Sequence, residues 1–364
     1  MDIGDIPSVC VVINPNAVGA AGVLRELRAL TGVTVHLLER SAPERLIAAC
    51  AASMVEDVGV RFLAGGGDGT LAAVARAIAE ACATLDLPPA ALAPLALGTG
   101  NELSRVLGWG PSYGGGTLPR TLQSVARGRI VSLDQWKVWR QHVGEGNSQS
   151  SPTPLLGGSS QPTAQVSEEL GFQCFFSMGF DAAISHEFTL QREKSPGSCS
   201  SVVRNKAWYA WFGACELFNQ TSYLERDAVE LRVDGMPVPL PEDINTVQLL
   251  NIHSSADGID FFGTGRPSVK GELQTFQQPC IGDGLLEVVG TRGVSDLLST
   301  RMRARHSFRL AQGRVVEIFL AASIPVQMDG ETWIQTPCNF KVEHRSVAPY
   351  VVNDAGRTLN CELR

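Results

Sequence analysis

Residues Gly65, Gly66, Gly67, Asp68, Gly69 and Thr70 read GGGDGT, a composition suited to holding phosphate. Glycine lets the backbone approach phosphate oxygens within hydrogen-bonding distance, and the first amides and dipole of a following helix favour negative charge there. The context fits: apolar RFLA precedes the run, and LAAVARAIAEACA follows it with Leu71, Val74, Ala75 and Ile78 on one helical face. The Thr70 hydroxyl adds a donor. A tight strand-to-helix turn would also account for the glycines, but it leaves Asp68 without a reason. A carboxylate beside a triphosphate is unfavourable unless a cation or water network lies between them, as Mg²⁺ commonly does. Asp68 is therefore assigned to a Mg·ATP centre.

Two further loops follow apolar runs. Asn14 and Pro15 come after VCVVI, and Gly98, Thr99, Gly100 and Asn101 come after PLAL and lead into ELSRVL. All three loops occupy the carboxyl ends of predicted strands, the edge of an open parallel sheet where ligands collect. The chain has no GxxxxGK[ST] loop, and no GxGxxG followed about 20 residues later by an acidic residue, so P-loop and Rossmann dinucleotide sites lose ground.

These loops need elements to position them. From Val9 to about Leu133, short apolar runs alternate with helical stretches, the signature of a parallel sheet covered by helices. The pattern predicts strands at Val9 to Ile13, Val33 to Leu38, Arg61 to Ala64 and Leu95 to Leu97, and helices at Ala20 to Leu30 and Pro43 to Val55. Beyond Leu133 the texture turns β-rich, with runs at Phe172 to Met178, Val229 to Val233, Val247 to Ile252, Leu285 to Val289, Val315 to Leu320 and Val326 to Met328. Few helices intervene, which suggests a sandwich-like second domain. Helices are predicted around Lys206 to Phe218 and Ser295 to Leu310. The reading divides the chain into an α/β domain over 1–133, a β-rich domain over 134–352 and a tail over 353–364. Residues 141–169, dominated by Gly, Ser, Pro and Gln, read as a flexible insertion in which Ser151 and Thr153, each before a proline, are candidate phosphorylation sites.

Bulk properties narrow the classes. A chain of 364 residues, 44% hydrophobic and 18% charged, has the length for two packed domains. A formal net charge of −7 argues against a nucleic-acid partner. The nine cysteines include no CxxC pair and lie away from the histidines, so reduced thiols in a cytoplasmic protein fit and a zinc site does not. No basic leader precedes the first apolar run, and nowhere do about 18 apolar residues occur in succession. No signal peptide or spanning helix is expected.

The motifs taken together resemble the diacylglycerol kinase family. NP at 14 and 15, GGDGT and LGTGN look like its catalytic domain. FSMGFDAAISHEF at 175 to 188, NKAWY at 205 to 209, IGDGLLEVVG at 281 to 290 and VQMDGETWIQTPC at 326 to 338 look like its accessory domain. Apart from the insertion, the resemblance covers about residues 9 to 352. GGDGT alone also occurs in NAD kinases and resembles a phosphofructokinase motif, so the second-domain motifs are what point to a lipid. The resemblance implies an N-terminal three-layer α/β ATP-binding domain followed by a β-sandwich-like accessory domain, with the active site in the interdomain cleft. It implies phosphorylation of the free hydroxyl of diacylglycerol by ATP with Mg²⁺, at a membrane surface to which the protein binds peripherally.

By turn chemistry alone Asp329-Gly330 and Asp283-Gly284 read as hairpin turns. The resemblance implies that Asp329 is the general base, with Glu331 nearby, and that Asp283, with the carbonyls of Cys280 and Leu285, forms a second, structural Mg²⁺ site. Asp181 could bind the glycerol portion of the substrate or cap a strand-end turn. His186 and His253 read as structural. Two departures stand out: the family's NPxSG is Asn14-Pro15-Asn16-Ala17-Val18-Gly19 here, and its GTGND ends in Glu102. The cysteine-rich zinc domains that precede many relatives' catalytic regions have no counterpart in this sequence. Residues 301 to 314, RMRARHSFRLAQGR, read as a helix whose Arg301, Arg303, Arg305 and Arg309 form either a solvated face or an anionic membrane contact. Kinases for sphingosine, ceramide or monoacylglycerol, and a non-catalytic lipid-binding scaffold, are the rival readings.

Overall fold

The computed structural model describes residues 8–39, 41–142, 167–199, 201–219, 222–225, 228–263, 276–302 and 307–353. Strand and helix alternate first: β1 (Val9–Ile13), α1 (Ala20–Arg28), β2 (Thr34–Leu37), α2 (Pro43–Glu56), β3 (Arg61–Gly66), α3 (Asp68–Leu85), β4 (Leu92–Ala96), α4 (Glu102–Val106) and α5 (Leu118–Arg127). Strands β2-β1-β3-β4 lie side by side in parallel, with Cys10 opposite Phe62 and Phe62 opposite Leu92. Burial on both faces is what makes such strands continuous apolar runs. Cys10, Val12, Phe62 and Ala64 pack with Met54 of α2 and with Leu71, Val74 and Ile78 of α3, whereas Val11, Ile13 and Leu63 pack with Val23 and Leu27 of α1 and Leu118 of α5. The result is three layers. Helix α2 illustrates the local rule: Pro43 is preset for the first helical turn, Glu44 complements the dipole there, and Leu46, Cys50, Ser53 and Met54 form its buried face.

The β-rich part follows: β5 (Ile130–His142), β6 (Ser167–Phe172), β7 (Phe175–Gly179), α6 (Phe180–Lys194), α7 (Val202–Asn219), β8 (Val229–Val233), β9 (Met236–Pro237), β10 (Thr246–Leu250), β11 (Ser254–Ser255), β12 (Ile259–Asp260), β13 (Leu286–Thr291), α8 (Val294–Arg301), β14 (Phe308–Gly313), β15 (Val315–Leu320), β16 (Ile324–Met328), β17 (Glu331–Gln335) and β18 (Cys338–Val351). Six of these form a sheet in the order β14-β13-β10-β7-β16-β17. Trp136, Val138, Leu231, Ile318 and Phe340 from β5, β8, β15 and β18 meet Phe176, Met178, Val247, Val288 and Val326 from that sheet in one apolar core. Phe340 lies edge-on to Phe176 with ring centroids 5.4 Å apart. This is the sandwich.

The two halves share a sheet. Strand β18 pairs with β5 along its length, from Cys338 opposite His142 to Val351 opposite Ile130. Its other edge pairs with β15 over Cys338 to Glu343 and then meets β4 in parallel, with Tyr350 opposite Leu92. The boundary expected at residue 133 falls inside β5.

Several sequence expectations need correction. Residues 301 to 314 are not one helix: α8 ends at Arg301, and β14 carries Arg309 as a buried, inward-facing residue beside the Phe262 ring. Arg303 and Arg305 lie outside the described residues. The expected strand from Phe172 to Met178 is two strands, and the residues after it form the unexpected helix α6. Residues 141, 142 and 167–169, assigned to the flexible insertion, belong to the paired strands β5 and β6; residues 143–166, with Ser151 and Thr153, lie outside the described residues, as does the tail from 354 onwards. The eight described cysteines form no disulfide with one another, and no helix among the described residues is long and apolar enough to cross a membrane.

Phe340→Ala removes a fully buried ring from the sandwich core and is expected to lower unfolding free energy by about 3–5 kcal/mol. Urea unfolding checks this; a loss below about 1 kcal/mol would contradict the packing described.

Candidate active site

The three loops singled out in the sequence touch one another at the carboxyl ends of β1, β3 and β4. The Asn14 amide donates to the Gly65 carbonyl (2.9 Å), and its side-chain amide donates to the Thr70 hydroxyl (3.2 Å). The Gly98 amide donates to the Gly66 carbonyl (3.1 Å). A Cβ at Gly98 would stand 2.5 Å from the Gly67 Cα, and one at Gly66 would stand 2.3 Å from the Thr70 hydroxyl oxygen. These glycines therefore serve close packing of loop on loop as well as any approach of a ligand. Pro15 is exposed, and Gly69 lies in the first turn of α3.

Asn101 fastens the second loop. It sits in the left-handed region (φ 52°), accepts from the Gly98 amide (2.9 Å), and donates to the carbonyls of Gly98 and Pro111 (2.8 Å each). Thr99 Oγ1 is 2.8 Å from the side-chain amide of Asn205 on α7, and the Gly100 carbonyl accepts from Arg105 Nε (3.3 Å). Asp68 reaches out of α3 and accepts from the amides of Glu102 (2.9 Å) and Leu103 (3.2 Å), capping α4. Burial pushes the Asp68 carboxyl up; those two amides and the Arg105 guanidinium oppose the shift. Glu102 turns the other way, accepting from the amides of Asp257 and Gly258 in the β11–β12 turn and from the Ser254 hydroxyl (3.4 Å). Burial, reinforced by the neighbouring Asp68 charge, raises Glu102 to about 7.

Asp329 faces these groups from the second half. The β16–β17 turn is the hairpin expected, with Asp329 at φ 47° and Gly330 at φ 85°. The Asp329 carboxylate accepts three consecutive amides: Gln173 at Oδ2 (2.9 Å), and Cys174 (2.8 Å) and Phe175 (3.1 Å) at Oδ1. Burial lifts it to about 7 against those donors, and the charge of Asp68 adds to the rise. Both acids also act on Cys174, whose fully buried thiol is pushed well up, first by burial. With one donor at Oδ2, that oxygen keeps acceptor capacity for a further proton or hydroxyl.

The other sequence candidates divide. Asp181 lies in the first turn of α6, half-buried, where its Oδ2 accepts from Gln248 and Gln327 (2.9 Å each). Gln327 is two residues before Asp329, and Gln248 leads through Ser255 (3.0 Å) towards the turn that Glu102 grips. Glu331 is exposed at the start of β17. Asp283-Gly284 is not a hairpin turn, because residues 276–285 contain no strand; Asp283 instead accepts from the Leu285 amide (2.9 Å), and the Gly284 amide donates to Asp134 (2.7 Å). Burial first, then the Asp134 charge, raises the Asp283 carboxyl. Cys280 lies in the same loop. His186 contacts the Thr332 hydroxyl (3.3 Å), as a structural histidine would.

Among the described residues no group of three or more His, Cys, Asp and Glu is placed to hold a metal. The chemistry around Asp68 nevertheless fits Mg²⁺: its own carboxyl, pushed up by burial, and those of Glu102 and Asp329, raised first by burial and then by its charge, are hard oxygen donors in need of positive charge. Mg²⁺ needs only one or two carboxylates when phosphate oxygens and water complete its octahedron.

Residues that the sequence reading missed hold the site together. The Asn251 amide donates to the carbonyls of Asp134 (2.8 Å) and Gln173 (2.6 Å), while its oxygen accepts from Trp136 Nε1 (2.8 Å). Tyr350 donates to the Gln173 side chain (2.6 Å), and Asp134 pairs with His344 (2.9 Å). Backbone donors leave no mark on residue type, so Gln173, Cys174 and Phe175 could not be found from sequence.

Residues 8–138 match the family described as diacylglycerol kinase catalytic domain, and residues 171–332 match diacylglycerol kinase accessory domain. Among curated proteins the chain is similar to probable diacylglycerol kinase 3 of Caenorhabditis elegans (30% identity, 97% of this chain, 45% of that protein) and to diacylglycerol kinase theta of Homo sapiens (33%, 76% and 28%). It is also similar to diacylglycerol kinase 1 of Arabidopsis thaliana (32% identity, 79% of this chain, 37% of that protein). The chain thus spans less than half the length of these relatives. A crystal structure of a diacylglycerol kinase from Bacillus anthracis shares the fold, with a TM-score of 0.55 at 15% identity over 97% of this chain and 99% of that one.

A carboxyl raised in the fold binds its proton more tightly there than in the unfolded chain. Its contribution therefore favours folding at low pH and is lost as pH rises from the unfolded value towards the folded one. Glu102→Gln keeps an acceptor for the Asp257 and Gly258 amides without the charge. Relative to the parent, it is expected to gain on the order of 2 kcal/mol of stability between pH 5 and pH 8. Unfolding midpoints across that range check the sign; parallel curves would refute it.

Proposed function

Because the chain belongs to the diacylglycerol kinase family, we propose that it transfers the γ-phosphate of ATP to the free hydroxyl of diacylglycerol, giving phosphatidic acid and ADP. The observation that carries this reading is the Asp329 carboxylate, held by three amides within reach of the Asp68 charge, its pKa raised to about 7 and acceptor capacity left at Oδ2. In this reading the residues to 133 bind ATP, and those from 134 to 352 present the lipid.

Asn14, the backbone of Gly65 to Thr70, and the Gly98 to Asn101 loop orient the triphosphate against the start of α3. Mg²⁺, when bound near Asp68, would neutralise phosphate charge and assist in-line transfer. Asp329 takes the proton of the lipid hydroxyl at Oδ2; the freed oxygen bonds to the γ-phosphorus as the bond to the β–γ bridging oxygen breaks. ADP departs with that electron pair, and Asp329 later returns its proton to solvent. Asp181, tied to Gln327 on the strand leading to Asp329, positions the glycerol end of the substrate. Glu331, exposed beside the same hairpin, borders the lipid's entry. The Asp283 carboxylate and the carbonyls of Cys280 and Leu285 would hold a second, structural Mg²⁺. Since diacylglycerol resides in bilayers, the protein works at a membrane surface from the cytoplasm.

Asp329→Asn is expected to lower kcat about 10²–10⁴-fold, with the KM for ATP little changed, in a labelled γ-phosphate assay on short-chain diacylglycerol. The substitution turns an amide group towards the Gln173 N–H, so unfolding midpoints must accompany the rates. In the parent, kcat/KM should rise with pH through an apparent value near 7 as the base ionises. Asp68→Asn should raise the Mg²⁺ needed for half-maximal rate. Undiminished activity in both variants would overturn the mechanism, and faster transfer to sphingosine, ceramide or monoacylglycerol would reassign the substrate.

A further inference from the structure

Helix α7 has two unlike faces. Inward, Asn205 and Gly213 are buried; Asn205 lies 2.8 Å from Thr99 Oγ1 in the glycine loop, and Tyr209 stacks on Phe188 of α6 with centroids 4.5 Å apart. Outward, Val203, Ala207, Ala210 and Trp211 are exposed at spacings that align them on one side of a helix. Val203 is 78% and Trp211 61% exposed. Isolated exposed apolar side chains are ordinary, but an aligned apolar stripe with a tryptophan is a surface with a use.

Charge surrounds this stripe. Arg204 and Lys206 are exposed on the same helix. Lys206 Nζ lies 2.8 Å from Asp257, a carboxylate also shared by Arg105 and, at 3.8 Å, by Arg301. Three cations around one carboxylate leave local positive excess on a chain whose formal net charge is −7. Exposed Met302 follows Arg301.

We propose that the outer face of α7 is a membrane-docking surface: Val203, Ala207, Ala210 and Trp211 enter the interfacial layer of an anionic phospholipid bilayer, with Lys206, Arg105 and Arg301 meeting its headgroups. An apolar face with tryptophan, rimmed by basic residues, is the composition that lies in a bilayer interface. The opposite face of the same helix backs onto the reaction centre, since Asn205 touches Thr99, and the Asp257 that binds Lys206 donates its amide to Glu102. Docking therefore holds the glycine loops beside the bilayer. This assignment rests on the lipid-kinase reading, and of the arginines in 301–314 it keeps Arg301 in the basic contact while Arg309 is buried.

The test is flotation of the full chain with phosphatidylcholine vesicles, with and without roughly one-third phosphatidylserine. Val203→Gln/Trp211→Gln should reduce partitioning at least about tenfold, and Lys206→Gln roughly fivefold, on anionic vesicles only. Val55→Gln/Val58→Gln, at exposed positions elsewhere, should partition like the parent. Phosphorylation of short-chain diacylglycerol in monomeric solution should be retained in Val203→Gln/Trp211→Gln. Parent-like vesicle binding by that double variant, or an equal loss in the Val55/Val58 control, overturns the proposal. So does a lipid-free dimer that Trp211→Gln dissolves, since a second copy would then cover the face. Failure of the parent to phosphorylate the monomeric lipid would sink the kinase reading alone, because flotation reads docking independently.

Discussion

The junction of the two halves depends on satisfying one buried carboxylate. Asp329 is taken out of water at the end of the sandwich, within reach of the Asp68 charge, and an unpaired charge there would be prohibitive. Three successive amides, from Gln173 to Phe175, meet it. To present them together, the chain must turn sharply between β6 and β7, and that turn is itself held from behind: Asn251 takes the Gln173 carbonyl, Trp136 takes Asn251, and Tyr350 takes the Gln173 side chain. Residues from β5, β18 and the end of β10 thus serve a single acid. Burial still outweighs the three donors, which leaves that acid able to exchange a proton near neutrality.

Asp68 and Glu102 extend the same logic across the junction. The first caps the helix that begins with the second, and the second binds the turn between β11 and β12. The Asp68 charge makes Glu102 harder to ionise, on top of burial. A site so arranged is under electrostatic tension that positive charge relieves, whether from Arg105 or from a cation arriving with phosphate. The Glu102 side chain is what spans to the amides of Asp257 and Gly258.

Much of the fold was legible because its signals are local. Continuous apolar strands and one-sided helices mark β1 to α3 with boundaries within a few residues, and turn chemistry alone finds the Asp329-Gly330 hairpin. What failed was non-local or concealed. Strand β14 points Arg309, Ala311 and Gly313 inward, so its alternation is not one of apolar and polar types and it reads as a continuation of α8. Helix α6 starts directly on the apolar run of β7, which hides the boundary. In the site, acids and glycines were visible by type, and the resemblance to a family supplied the role of Asp329. Glu102 was visible only as a departure; its partners lie far along the chain.

Strand β18 has a consequence for how the molecule comes into being. It supplies the neighbour of β4 and the partner of β5, yet it is made long after both. During synthesis the α/β half therefore waits with an open, apolar sheet edge, of the kind that invites pairing with other chains. Its contacts are among the most distant in the sequence, so closure is slow in principle. The region that matches the catalytic domain is thus completed by a strand far beyond its own end. Excised at residue 138, it would lack the strand that seals it.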